Sequence, residues 1–102
     1  MMSPNDNLDE RTEVTFTQMV VASGLSEAEV RELVRYGALV PRNPDAPAWT
    51  FEARWIFAAR KASRLQREFE LDPHGVSVVM SFLERIESLE AELRAVRAQI
   101  GR

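Results

Sequence analysis

The sequence predicts a mostly α-helical protein, in which a winged helix-turn-helix head precedes a long C-terminal coiled-coil helix. Three observations support this prediction: two short helical segments joined by a Gly-Leu-Ser turn, two short extended segments separated by a proline-rich connection, and a long apolar repeat with steps of three and four residues. A chain of 102 residues is expected to form one domain. We divide it into a flexible leader (1–12), the head (13–71) and a dimerisation helix (72–102).

The composition excludes several classes of function. Hydrophobic residues make up 45% and charged residues 28% of the chain, which is ordinary for a globular protein. The absence of cysteine excludes disulfides, thiolate metal ligands and a cysteine nucleophile. The polar start, Met1 to Thr12, lacks the apolar core of a signal peptide, and no later stretch approaches the roughly 20 apolar residues that span a bilayer. We therefore expect a cytoplasmic protein, with the nucleoid as an alternative location reached through a partner.

The head is predicted to begin with an extended segment and a short helix. Residues 13–16 alternate between polar and apolar side chains, which favours a short strand. Thr17 is the expected N-cap of a helix over Gln18 to Ser23. Gly24 follows and supplies the left-handed conformation that ends such a helix.

A second helix follows after the turn. Ser26 and Glu29 have the spacing of a capping box, in which each side chain bonds to the backbone N–H of the other residue. The helix is expected to end near Tyr36, before Gly37. Its apolar residues fall on one face: Val30, Leu33 and Val34. A short helix, a turn and a second amphipathic helix predict a helix-turn-helix unit.

The next segment predicts a wing and a third helix. Leu39–Pro41 and Trp49–Phe51 are expected to be two short paired strands, because the prolines and the aspartate between them favour a turn. A helix is then predicted from Glu52 to about Phe69. The residues that can face the core at helical spacing are Trp55, Ile56, Ala59, Ala62 and either Leu65 or Ser63.

The last helix is predicted to begin at Pro73, because Asp72 is a preferred N-cap and proline is favoured at the first helical position. Its apolar residues form a heptad seam: Val79, Phe82, Ile86, Leu89, Leu93, Val96 and Ile100. At about 1.5 Å per residue the helix would be roughly 40 Å long, which is too long for the head to cover the whole seam. A partner helix is implied, so we expect a homodimer.

The sequence offers no support for catalysis. His74 is the only histidine, and without a second histidine or a cysteine it favours a surface position over a metal site. Neither a glycine-rich phosphate loop nor a nucleophile elbow occurs. The carboxylates lie on predicted helix faces and caps, where they do not form an isolated acid and base pair. We therefore predict that the protein is not an enzyme and uses no metal and no cofactor.

The helix-turn-helix architecture makes a DNA-binding regulator one hypothesis, although the charges oppose it. The net charge of −3 does not favour phosphate contacts. The second helix, where base-reading residues would lie, carries Glu27, Glu29 and Glu32. The candidate DNA contacts are Arg31, Arg35, Arg42 and Arg54. An ordinary solvated surface is the simpler interpretation of these arginines.

Five segments resemble one known family. They are Val14–Thr17, Ser23–Glu27, Gly37–Arg42, Trp49–Phe51 and Leu65–Asp72. With the order of the elements and the acidic second helix, they resemble the chaperone-modulator family CbpM over about residues 13–100. The resemblance implies a MerR-like fold, an antiparallel dimer, and binding to the J-domain of a DnaJ-like co-chaperone of the CbpA type, which blocks its work with a DnaK-type chaperone. The polar leader departs from the compact start of the family.

A J-domain presents a basic helix to its chaperone, so an inhibitor that competes for it should present carboxylates on a rigid platform. The favoured partner-binding residues are Glu84, Glu87 and Glu90 on the last helix; Glu27 and Glu32 on the second helix are the other candidates. Leu83 or Met80 would supply apolar contact, if the dimer seam leaves them free. A J-domain inhibitor is the leading hypothesis. A MerR-type transcriptional regulator comes second, and a small-molecule sensor third.

Overall fold

The computed structural model describes residues 9–101. Four helices and a two-stranded sheet follow one another as β1 (Glu13–Thr15), α1 (Phe16–Ser23), α2 (Glu27–Arg35), β2 (Thr50–Glu52), α3 (Trp55–Phe69) and α4 (Pro73–Ile100). The mostly helical class, with a helix-turn-helix head and a long C-terminal helix, is confirmed. Most of the expected leader lies outside the described residues. Its last part, residues 9–12, forms a turn that is tied to the head, because the Ala53 N–H donates to the Thr12 carbonyl at 2.8 Å.

The start of α1 differs from the prediction, because Thr15 and not Thr17 is the N-cap. The Thr15 hydroxyl accepts from the Gln18 backbone N–H at 3.1 Å, and the Gln18 side chain accepts from the Thr15 N–H at 2.8 Å. With Thr17 as the cap, the reciprocating position would fall on Val20, which has no acceptor. The capping box therefore places the start of α1 at Phe16.

The turn and the second helix follow the prediction. Gly24 ends α1 in the left-handed region, at φ 77°, and Gly37 follows α2 at φ 81°. The Ser26 hydroxyl accepts from the Glu29 N–H at 3.1 Å, and the Glu29 carboxylate accepts from the Ser26 N–H at 2.8 Å. Val30 is buried on the inner face of α2. The helix-turn-helix is therefore built from two capping boxes and one left-handed glycine.

The prediction that the two strands of the wing pair with each other is wrong. Residues 39–41 form no strand, and β2 pairs antiparallel with β1, with Val14 opposite Phe51. The Arg42 backbone N–H donates a hydrogen bond to the Thr50 carbonyl at 2.8 Å. The prolines of the connecting segment lack the N–H that a ladder needs, and β1 offers a regular partner instead. The wing is consequently an irregular loop that leads into β2.

The core is formed where α1, α2 and α3 meet the sheet and the first turns of α4. Its buried apolar residues are Val14, Met19, Leu25, Val30, Leu33, Leu39, Phe51, Ala53, Ile56, Ala59, Ala62, Val76 and Met80. The predicted inner face of α3 is largely confirmed, since Ile56, Ala59, Ala62 and Ser63 are buried, and Trp55 and Leu65 pack against them. Glu52 does not open α3 as expected but belongs to β2.

Helix α4 has two parts with different surroundings. Asp72 caps it, accepting from the Gly75 N–H at 2.7 Å, and Pro73 is its first residue, as predicted. The first turns pack in the core. From Phe82 onward the predicted seam is solvent-exposed in the single chain, by 47% to 76% of each side chain at Phe82, Ile86, Leu89, Leu93, Val96 and Ile100. Among residues 9–101, no helix combines the length and the apolar character needed to cross a membrane.

Candidate partner-binding site

A small cleft lies between α3 and α4, beside the point where α4 leaves the head. It has a volume of about 180 Å³ and is lined by Phe57, Ala58, Lys61, Met80, Glu84 and Glu87. Met80 is 5% exposed and belongs to the core, whereas the Phe57 side chain is 66% exposed. The cleft therefore combines an apolar floor, an exposed aromatic ring and two carboxylates. We call it the acidic cleft.

The carboxylates of the acidic cleft are open to solvent. Glu87 lies 3.7 Å from the Lys61 ammonium, and the Lys61 and Glu87 side chains are 40% and 68% exposed, so their pairing contributes little to stability. Glu84 forms no ion pair with any residue from 9 to 101. Glu90, the third predicted residue, does not line the cleft and lies one turn further along α4. The structure thus brings two of the three favoured glutamates to one place.

The other predicted glutamates face cations of their own helix. Glu27 pairs with Arg31 and Glu32 pairs with Arg35, each at 3.8 Å. These i,i+4 and i,i+3 pairs reduce the negative potential that α2 offers to a basic partner. Glu87 of the acidic cleft is paired in the same way with Lys61, but Glu84 has no ion pair within residues 9–101, so the acidic cleft is the stronger candidate.

The four arginines proposed for DNA contact are all ion-paired. Besides the pairs of Arg31 and Arg35 within α2, Arg42 lies 3.4 Å from Glu13, and Arg54 lies 2.8 Å from Glu52. Arg42 also donates to the Arg11 carbonyl at 2.9 Å, and Arg31 lies over the Phe16 ring, 5.0 Å from its centroid. A phosphate would have to compete with these carboxylates, so the arrangement does not favour DNA.

Glu29, which lies between Glu27 and Glu32 on α2, has a structural role. Besides capping α2, its carboxylate accepts a hydrogen bond from the Gln66 side chain of α3. The backbone N–H of Ser26 is the main cause that lowers the pKa of Glu29, and the Gln66 bond and the nearby Arg67 act in the same direction. This carboxylate therefore joins α2 to α3 in its charged form.

The lowered pKa of Glu29 predicts a pH-dependent contribution to stability. A carboxyl whose folded pKa is depressed stabilises the protein above its unfolded pKa and loses that effect as the pH falls through the folded value. At pH 7 Glu29→Gln should lower the free energy of unfolding by about 1 kcal/mol, because a charged acceptor is lost. In thermal melts the difference from the unmodified protein should be constant above the ordinary pKa of 4.5, and should shrink from there as the pH falls through the lowered pKa of the folded state. A difference that stays constant down to acidic pH would contradict this role.

His74 makes an aromatic contact. Its ring stacks on Tyr36, with centroids 4.7 Å apart and planes at 22°, and this contact joins the end of α2 to the start of α4. Within residues 9–101, no three side chains of the histidine, cysteine, aspartate or glutamate type are grouped so that they could hold a metal ion.

Phe57 is the site residue that the sequence analysis missed. Helical spacing identified the inner face of α3, and Phe57 lies off that face among charged residues such as Arg60 and Lys61. A large aromatic side chain on the charged side of an amphipathic helix is the signal that would have found it, because such positions are otherwise polar.

Comparison with known proteins agrees with this architecture. Residues 14–98 match the family of MerR HTH family regulatory proteins. The chaperone modulatory proteins CbpM of Escherichia coli K12 (DH10B) and of Shigella boydii serotype 18 are each 31% identical to the chain over 88 residues. The aligned part is 86% of this chain and 87% of each relative. The family match over residues 14–98 thus includes the helix-turn-helix, the acidic cleft and most of the seam.

Proposed function

Because this chain belongs to the CbpM family of chaperone modulators, we propose that it binds the J-domain of a CbpA-type co-chaperone and thereby inhibits the work of that co-chaperone with its DnaK-type chaperone. In this proposal the protein acts by occupying a surface and performs no catalysis. The single observation that supports it most is the acidic cleft, where Glu84 and Glu87 lie beside the exposed Phe57.

The chemistry of the acidic cleft suits a basic helix that carries some apolar side chains. Exposed ion pairs contribute at most about 1 kcal/mol each, so Glu84 and Glu87 would mainly orient the partner and accelerate its association. Aromatic side chains at the centre of an interface supply much larger contributions. Phe57 can be that apolar anchor because it is exposed, whereas Met80 is buried in the core.

The exposed seam of α4 supports a homodimer as the working form. Six apolar side chains on one side of a helix are a larger exposed stripe than a monomer normally tolerates. Glutamates cluster in the middle of α4, from Glu84 to Glu92, and the arginines Arg94 and Arg97 follow them. This order favours an antiparallel pair, in which the acidic part of one helix faces the basic part of the other. Such a dimer would present the acidic cleft twice.

The J-domain proposal is tested by isothermal titration with the J-domain of a CbpA-like co-chaperone, at a low and a high salt concentration. Saturable binding that weakens with salt is expected. The double variant Glu84→Lys/Glu87→Lys should bind at least about tenfold more weakly, because attraction becomes repulsion at the cleft. Its matched control is Glu27→Lys/Glu32→Lys, which changes the net charge equally on α2 and should bind nearly as the unmodified protein does.

Two results would contradict the proposal. Absence of binding at both salt concentrations would exclude the J-domain as the partner and make binding to a palindromic DNA operator the next hypothesis. Equal weakening by both double variants would mean that overall charge, and not the acidic cleft, determines affinity. Circular dichroism melts of both variants verify that the fold is retained.

A further inference from the structure

A second groove, separate from the acidic cleft, lies between the C-terminal end of α1 and the outer side of α3. It has a volume of about 510 Å³ and is lined by Val21, Ala22, Ser23, Gly24, Arg60, Ser63, Arg64, Arg67 and Glu68. Arg60, Arg64 and Arg67 follow one another at intervals of four and three residues, which places them on one face of α3 over about 10 Å. We call it the basic groove.

Three arginines give the basic groove a positive charge. Elsewhere in the head, Arg31, Arg35, Arg42, Arg54 and Lys61 each have a carboxylate partner. Within residues 9–101, none of the three groove arginines forms an ion pair. Glu68 is the carboxylate that lines the groove, and Glu29 lies close enough to Arg67 for their charges to interact, so the three guanidinium groups keep an excess of positive charge on a chain whose net charge is negative.

Two of these guanidinium groups are held in place by neutral acceptors. Arg60 donates from Nε to the Ala22 carbonyl at 3.0 Å, and Arg67 donates from Nη2 to the Ser63 hydroxyl at 2.7 Å. A guanidinium has five N–H donors, so each of these bonds fixes the group and leaves other donors available. The absence of a side chain at Gly24 leaves room for the Arg67 guanidinium, because a Cβ at this position would lie 3.0 Å from Arg67 Nη2. The groove is thus pre-organised for an anion.

The rim of the basic groove indicates what kind of anion fits. Val21 is 78% exposed at the end of α1, and the adjacent Ala22 extends the apolar surface. Among residues 9–101, no aromatic side chain lines the groove, so nucleic-acid bases would find no stacking partner there. A polypeptide can supply carboxylates to the guanidinium groups and an apolar side chain to Val21 together.

We propose that the basic groove binds an acidic, partly apolar segment of a partner protein, independently of the acidic cleft. In this arrangement the guanidinium groups of Arg60, Arg64 and Arg67 receive carboxylates, and Val21 contacts an adjacent apolar side chain. The two surfaces recognise opposite charges, so one protomer can hold a basic and an acidic segment simultaneously.

The test uses the full-length protein and a fluorescein-labelled peptide of glutamate and leucine residues, followed by fluorescence anisotropy at low ionic strength. The unmodified protein should bind it saturably, and a counterpart with glutamine in place of glutamate should not bind. Arg64→Glu should weaken binding about tenfold, because it replaces a central attraction with a repulsion. Arg35→Glu, with the same change in net charge on α2, should stay within about twofold. Val21→Ser should weaken binding without altering its salt dependence.

Three outcomes would overturn the proposal. Absence of saturable binding to the acidic peptide would exclude the groove as a docking site. Equal losses in Arg64→Glu and Arg35→Glu would assign the binding to diffuse attraction. Tighter binding of single-stranded DNA of equal charge would assign the groove to phosphodiesters. Because the J-domain titration depends on other residues, failure of either proposal leaves the other intact.

Discussion

Replacing Leu89 and Leu93 by aspartate should convert the proposed dimer into folded monomers. Both side chains lie in the exposed seam of α4, where a partner helix would bury them. An unpaired carboxylate buried in such an interface costs several kcal/mol, so two on each helix should prevent association. Sedimentation equilibrium should show the mass fall from twice 11.6 kDa to the mass of one chain.

The matched control for the seam variant is Ala91→Asp/Ala95→Asp. It adds the same charges to the same part of α4, on the side opposite the seam, and should remain dimeric. The acidic cleft is formed by a single chain, so the monomeric variant should still bind one J-domain per protomer. A seam variant that keeps the dimer mass, or a control that loses it, would refute the seam as the interface.

The second large effect is a loss of stability, which is expected when Phe51 is replaced by alanine but not when Phe57 is. Phe51 is fully buried in β2, and Phe51→Ala should lower the free energy of unfolding by about 3–5 kcal/mol. That is a large part of the roughly 5–15 kcal/mol that stabilises a domain. Urea unfolding at one fixed protein concentration measures it, since the stability of a dimer depends on concentration.

Phe57→Ala should show the opposite pattern. Its ring is mostly exposed, so the midpoint of urea unfolding should change little. If Phe57 anchors the J-domain, the affinity in the titration should fall by about tenfold or more. A Phe57→Ala protein that binds normally would remove the apolar anchor from the proposal, and one that unfolds easily would make Phe57 a structural residue.

Local capping chemistry explains why much of the fold could be predicted. Ser26 with Glu29, and Asp72 with Pro73, specify helix starts within a few residues, and Gly24 specifies a left-handed turn that other residues disfavour. These signals depend only on neighbours in the sequence. The start of α1 was misplaced because Thr15 and Thr17 are both acceptable caps, and only the reciprocal bond of Gln18 decides between them.

Non-local pairing explains where prediction failed. Strand β2 could have paired with residues 39–41 or with β1, and no local signal distinguishes a nearby partner from one more than thirty residues away. The site was predicted in part for the same reason. Glu84 and Glu87 share a helix face and were found by spacing, whereas Phe57 comes from α3 and joins them only through the packing of α3 on α4.

The continuity of α4 determines more than the area of a seam. No glycine or proline interrupts the helix between Val76, in the core, and Ile100, near its end, so the head and the seam share one rigid axis. In the proposed dimer, an insertion of seven residues between cleft and seam would move each acidic cleft outward by about 10 Å with almost no rotation. An insertion of two residues would turn one cleft by about 200° relative to its seam. In such a dimer the length of this helix would set the angle between the two clefts, and with it the side from which a bivalent target must approach.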